Sequence, residues 1–197
     1  MINYVLFDLG NILIEIGRVP WFSDSTADEQ LAYKKWIETD AVKNYESGKI
    51  STEAFFAAAP AVLNMSREEF TNRFDSWLVG EYAGATELVR RLKEDYRVGC
   101  LSNTSPFHME KVRRQSNLLD GLDDCFLSYE MGAVKPGKEI YEMVLQQVNL
   151  PANEILFLDD NKINVDTAEA LGFTAVWVKG FGPVKDALRE HLQKEGF

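Results

Sequence analysis

The sequence predicts an α/β fold: a doubly wound parallel sheet with a small all-helical insertion after the first strand. Three observations carry this. Five strand-length apolar runs recur along the chain, each continuous rather than alternating, as parallel strands covered on both faces require. Helical stripes separate the last four runs, the strand–helix–strand rhythm of a doubly wound sheet. The interval from about residue 15 to 80 breaks that rhythm. It holds no strand-like run, yet it carries Trp21, Trp36, Phe55, Phe56, Phe70, Phe74 and Trp77.

The runs are Tyr4–Phe7, Val98–Leu101, Cys125–Leu127, Ile155–Leu158 and Ala175–Val178. Within the insertion, helices are predicted from Asp28 to about Tyr45 and from Thr52 to Leu63. Ser66-Arg67-Glu68-Glu69 reads as a capping box that opens a third helix through Phe70, Phe74 and Trp77. Further on, Thr86–Glu94 aligns Leu88, Val89 and Leu92. Lys138–Asn149 sets Ile140, Tyr141, Val144, Leu145 and Val148 on one stripe, and Val165, Ala168 and Leu171 mark another.

At 197 residues the chain can build one sizeable core, or a core plus a small appendage. Its net charge of −10 argues against sequence-independent binding to DNA or RNA, which needs clustered Lys and Arg on phosphates. A small anionic substrate is still compatible, because a local site can be positive on an acidic protein. Cys100 and Cys125 both sit in apolar runs and read as buried free thiols, too few for a disulfide framework. The N-terminus, MINYVLFD, has no basic leader, and no run approaches the roughly 20 apolar residues of a membrane span. The expected compartment is the cytoplasm, with no membrane partner. The sequence carries no signal of oligomeric state.

Ligands of an open α/β sheet bind at the carboxyl ends of its strands. Asp8 follows the first run, and Ser102-Asn103-Thr104 follows the second. Asp159-Asp160-Asn161 follows the fourth, with Asn164 beyond, and Lys135-Pro136 opens a helix between the third and fourth. Each piece has a plain reading. Asp8 with Gly10-Asn11 fits a turn, Ser102-Asn103 fits a helix cap, and Lys135 fits a solvated side chain. Their common position at strand ends points instead to one site. Asp8, Asp159 and Asp160 offer the hard oxygen ligands that Mg²⁺ takes, and packed carboxylates need a cation to offset their repulsion. One oxygen of Asp8 would remain to attack a phosphoryl group. Ser102 and the N–H groups near Leu9 and Gly10 would hold its oxygens, and Lys135 would balance its charge.

FDLGN, LSNT, KP and FLDDNxxN, in this order and at these intervals, resemble the four motifs of the haloacid dehalogenase-like hydrolase superfamily. The resemblance spans Asp8 to Asn164. It implies a Rossmann-like core over residues 1–14 and 81–197, and a helical cap of the subfamily I kind over residues 15–80. FDLGN is similar to a bacterial branch that includes phosphatases of sugar phosphates such as α-D-glucose 1-phosphate. By position, the resemblance makes Asp8 the nucleophile that forms an aspartyl-phosphate and a ligand of Mg²⁺, with the carbonyl of Gly10 as a further ligand. It assigns phosphate binding to Ser102 with Asn103 beside it, and makes Lys135 the residue that steadies nucleophile and phosphoryl group. Asp160 and Asp159 would hold the metal, and Asn164 would support them.

Gly10 departs from the pattern, because most phosphatases of the family carry an aspartate there that moves the proton. Such help is typically worth about 10² to 10⁴ in rate. Two alternatives follow from its loss. A metal-independent 2-haloacid dehalogenase also lacks that aspartate, but carries no paired Asp-Asp in its fourth motif. A non-catalytic phospho-ligand binding or regulatory module would not need to keep Asp8. His108, close behind Ser102, is read as a surface residue, and Trp21 as a structural one.

Overall fold

Every residue of the run Tyr4–Phe7 is fully buried, and alternate residues face opposite sides. Tyr4 and Leu6 join one apolar cluster, while Val5 and Phe7 join another. Only an interior strand with helices on both faces meets that demand. In the computed structural model, which describes residues 1–21 and 36–193, this run is β1 (Tyr4–Phe7). The other sheet strands are β4 (Arg97–Ser102), β5 (Asp124–Leu127), β6 (Ile155–Asp159) and β7 (Thr174–Trp177). Their order is β5-β4-β1-β6-β7 with every pairing parallel. The five expected runs are these strands, with ends shifted by about one residue. The chain winds outward from β1 to β4 and β5, then crosses back to β6 and β7. The topological switch therefore falls at β1.

One face is covered by α4 (Ala85–Leu92), α5 (Pro106–Gln115) and α9 (Phe181–Leu192), the other by α7 (Lys138–Val148) and α8 (Lys162–Ala170). Cys100 and Cys125 are register partners on β4 and β5. Both are free, and Cys125 is only half-buried. Among the described residues no helix is long and apolar enough to cross a membrane.

Between β1 and β4 lie α1 (Asp40–Glu46), α2 (Thr52–Val62) and α3 (Arg67–Trp77). Thr39, Ser51 and Ser66 cap them, each side chain accepting an N–H of the first turn. Ser66 makes its half of the predicted capping box, while Glu69 pairs with Arg73 at 2.7 Å instead of reaching back. Their aromatic rings Tyr45, Phe55, Phe70 and Phe74 form a third cluster with Trp21 and Trp36, which precede α1. Trp21 is structural, stacked on Phe70.

Two expectations are corrected. The helix expected from Asp28 to Tyr45 falls partly outside the described residues. In its described part it breaks at Glu38–Thr39, because the Thr39 hydroxyl donates to Trp36 O (2.8 Å) and then caps α1. The insertion also contains strands: β2 (Ile14–Ile16) pairs antiparallel with β3 (Leu78–Glu81) where the chain leaves and re-enters the sheet domain. These strands are too short for a period-2 pattern, and their partners lie more than sixty residues apart in sequence.

Candidate active site

Register brings the predicted residues together. Phe7 pairs with Cys100 on one side and Leu158 on the other, so β1, β4 and β6 end at one level. Asp8 leaves β1 with its N–H on Leu158 O (2.8 Å). Asp159 ends β6, and Ser102 ends β4, both buried.

Lys135 reaches this edge from the loop before α7. Asn103 fixes it there: its Oδ1 accepts Lys135 N–H (2.8 Å) and its Nδ2 donates to Lys135 O (2.9 Å). The ammonium then donates to Leu101 O (2.8 Å), Asp159 Oδ2 (2.6 Å) and Asp8 Oδ1 (2.9 Å). Three donors meet three acceptors, so Lys135 is saturated. Its side chain is 1% exposed, Asp159 0% and Asp8 12%, which makes Asp8 the member open to a ligand.

Asp159 is wrapped on all sides. Besides Lys135 it accepts from Asn161 N–H (2.7 Å) and from Asn164 Nδ2, which lies 3.0 and 3.1 Å from its two oxygens. Asn164 is itself held by Tyr141, whose hydroxyl donates to Asn164 O. Asp160 is less enclosed, and accepts from Asn11 Nδ2 (2.9 Å).

Asn11 is a site residue that sequence reasoning passed over as part of a turn. Its φ of 57° is left-handed, which Asn tolerates, and Gly180 N–H donates to its carbonyl. The N–H groups of Ile12, Leu13 and Ile14 all point to Leu9 O and tighten the loop. Among the described residues no acceptor takes the N–H of Leu9 or Gly10.

Carboxylate oxygens of Asp8, Asp159 and Asp160 lie within 4.8 Å of one another. Among the described residues Lys135 alone is ion-paired with this trio, and Lys179 adds a small pull on Asp160. Burial pushes Asp8 up to about 7 against the pull of Lys135, and the other two acids add to the rise. Burial likewise raises Asp160, with Asp159 adding and Asn11 opposing. Burial disfavours the charge on Lys135, but Asp159 and Asp8 hold it protonated well above the ordinary lysine range. A hard divalent cation among these oxygens would remove the surplus negative charge, so the donor set fits Mg²⁺.

His108 is neither a surface residue nor part of this site. It is part-buried and stacks on Phe74 with ring centroids 4.2 Å apart. Its Nε2 bonds Phe74 O (2.9 Å); a carbonyl only accepts, so Nε2 carries the hydrogen. Burial pushes the imidazole down to about 4. One further acid comes close. Glu46 ends α1, and burial raises its carboxyl to about 7, with Lys135 opposing and Asp8 adding. Nothing in the sequence around Glu46 marks it.

This is an α/β enzyme that gathers carboxylates and a lysine at the carboxyl edge of its parallel sheet. A family model, haloacid dehalogenase-like hydrolase, matches residues 2–172, and the chain belongs to that family of hydrolases. It is 26% identical over 185 residues to a D-ribitol-5-phosphate phosphatase of Bacteroides thetaiotaomicron, covering 88% of this chain and 90% of that protein. It is 28% identical over 199 residues to an (S)-2-haloacid dehalogenase of Pseudomonas sp. strain YL, covering 93% of this chain and 85% of that one. Among solved structures, a HAD-like family hydrolase from Porphyromonas gingivalis superposes with a TM-score of 0.82 at 24% identity, covering 99% of this chain and 100% of that one. A HAD family enzyme from B. thetaiotaomicron, complexed with magnesium and inorganic phosphate, superposes at 0.77 with 26% identity, covering 91% and 96%.

Proposed function

We propose that the protein is a Mg²⁺-dependent phosphatase of a small phosphorylated metabolite, a sugar or polyol phosphate, working through an aspartyl-phosphate on Asp8. The observation that carries this is the trio Asp8, Asp159 and Asp160 within 4.8 Å, with Lys135 as its one ion-paired cation among the described residues. A metal-independent dehalogenase has no use for such a surplus of negative charge. The kinship with a D-ribitol-5-phosphate phosphatase and with a magnesium and phosphate complex supports the same reading.

In this reading Asp8, Asp160 and the Gly10 carbonyl hold the cation. Asp159, committed to Lys135 and Asn164, would add its charge beside them. When bound, Mg²⁺ supplies charge neutralisation on the phosphoryl oxygens. Lys135 occupies Asp8 Oδ1 and leaves the other oxygen as nucleophile. Ser102 and the N–H groups of Leu9 and Gly10 cradle the phosphoryl oxygens. Asn103 acts through Lys135, by fixing its main chain. Residues 15–80 form a cap over a core of residues 1–14 and 81–197. The cap keeps bulk water off the acyl phosphate and sets substrate choice.

The test is phosphate release from a panel of sugar and polyol phosphates in Mg²⁺ and in EDTA, with Asp8→Asn as control. Metal-dependent release that vanishes in the control supports the reading. Chloride release from 2-chloropropionate in EDTA, without phosphate release, would replace it with the dehalogenase. Tight binding of a phosphate ester without turnover would replace it with a binding module.

A further inference from the structure

The proposed reaction leaves one proton unassigned. An alkoxide expelled from phosphorus needs a proton, and the water that hydrolyses the acyl phosphate must give one up. Gly10 can do neither, and nothing local requires glycine there. Its φ is not left-handed, and a Cβ would meet Ile16 Cγ1 at 3.4 Å and Asp8 Oδ2 at 4.0 Å. The other groups at the edge are committed: Lys135 is saturated, Asp159 is wrapped by donors, and His108 is turned to Phe74.

We infer that Glu46, carried into the site by the helical insertion, is the general acid and base that position 10 lacks. The inference rests on the phosphatase reading. Its geometric basis is the docking of the end of α1 on the sheet domain. Gly48, in a left-handed turn two residues after Glu46, approaches so closely that a Cβ would collide with the carbonyl oxygen of Tyr129. Tyr129 lies in α6 (Ser128–Met131), directly after β5. On the other side of Glu46, the Tyr45 hydroxyl accepts the N–H of Phe107, at the start of α5 behind β4. Both seats stand at the carboxyl edge of the sheet, and Glu46 lies between these two anchors in the chain. The charges that act on it are Lys135 and Asp8, the two groups at the reaction centre. Among the described residues it has no ion-pair partner. Burial raises its carboxyl above the ordinary range, the direction a group that must first give a proton requires.

The steps balance. An Asp8 oxygen attacks phosphorus, and the bond from phosphorus to the ester oxygen breaks with its electron pair on that oxygen. The ester oxygen takes the proton from Glu46 and leaves as the alcohol. Water then attacks the acyl phosphate, giving a proton to the Glu46 carboxylate. The bond from phosphorus to Asp8 breaks with its pair on Asp8, and inorganic phosphate departs. One water is consumed and both acids are restored.

The test compares wild type with Glu46→Gln, on D-ribitol 5-phosphate and on p-nitrophenyl phosphate, in Mg²⁺ at neutral pH. Nitrophenolate leaves without a proton; an alkoxide does not. The substitution is expected to slow alcohol release from the polyol phosphate by about 10²-fold or more, the usual worth of a general acid. The pre-steady-state burst of nitrophenolate should fall by less than about tenfold, while later turnover slows because the base is gone. Gly10→Asp in the Glu46→Gln background should recover part of the lost rate. Equal losses on both esters, a change confined to KM, or no change would overturn the inference. A wild-type protein that hydrolyses neither ester would overturn the phosphatase reading and this inference with it. Turnover by wild type that Glu46→Gln leaves unchanged would overturn the inference alone.

Discussion

Replacing Lys135 by Met keeps the length of the side chain and removes the one cation that, among the described residues, is ion-paired to Asp8 and Asp159. Its side chain is 1% exposed, and its ammonium holds three acceptors at 2.6–2.9 Å. Breaking a buried ion pair by removing one partner costs about 3–5 kcal/mol, because the remaining charge stays buried and uncompensated. For a domain of this size each kcal/mol moves Tm by about 2–4 °C, so the variant should melt roughly 6–20 °C lower at pH 8 in EDTA. The pH dependence follows from the sign of the shift. Asp8 already has a raised carboxyl, near 7, with Lys135 pulling it down. Without Lys135 the Asp8 carboxyl rises further above its unfolded value. A folded state that binds more protons than the unfolded one loses stability as pH rises through that window. The gap between variant and wild type should therefore be wide at pH 8 and narrow towards pH 5. Circular-dichroism melts at the two pH values make the measurement. A gap under about 2 °C, or one independent of pH, would refute the view that Lys135 is the counter-charge of this cluster.

Two further outcomes are expected. Gly48→Ala combines a left-handed φ of 68° with a collision at Tyr129, and should cost at least about 2 kcal/mol in urea unfolding. It should also lower kcat by displacing Glu46; full activity in a destabilised variant would show that the seat of α1 does not set the site. His108→Gln keeps a donor for Phe74 O but cannot titrate. The wild-type imidazole is lowered to about 4, so its stabilisation is complete above about 6.5 and is lost as pH falls towards 4, at most roughly 3 kcal/mol. Wild type should therefore lose more stability than the variant between pH 7 and 4.5, and parallel losses in urea titrations would refute the assignment.

The parallel sheet was legible because its strands are buried on both faces. Continuous apolar runs such as Tyr4–Phe7 have no other ready explanation. The placement of Asp8, Ser102, Asp159 and Asp160 at one sheet edge was legible for the same reason, since each stands where such a run ends. Lys135 was harder, because a lysine beside a proline is usually solvated. It is held inward by the reciprocal clamp of Asn103, which a linear reading takes for a cap or a phosphate ligand. The pair β2–β3 escaped notice because three or four residues carry no period and the partner strand is remote.

Glu46 was invisible for a different reason. Its helix is short, its neighbours are ordinary, and the position is significant only through Gly48 resting on Tyr129 and Tyr45 on Phe107. Both are contacts between the insertion and the sheet domain, and no local pattern encodes them. The same physics explains how a proton-transfer group can migrate between segments without a trace in the catalytic motif. Leaving position 10 empty frees space beside Asp8 Oδ2, and a carboxylate delivered from above approaches the same reacting atoms from the cap. Proton transfer would then require the cap to be seated. Chemistry would be tied to closure over the substrate, and the acyl phosphate would meet its general base only when bulk water has been shut out.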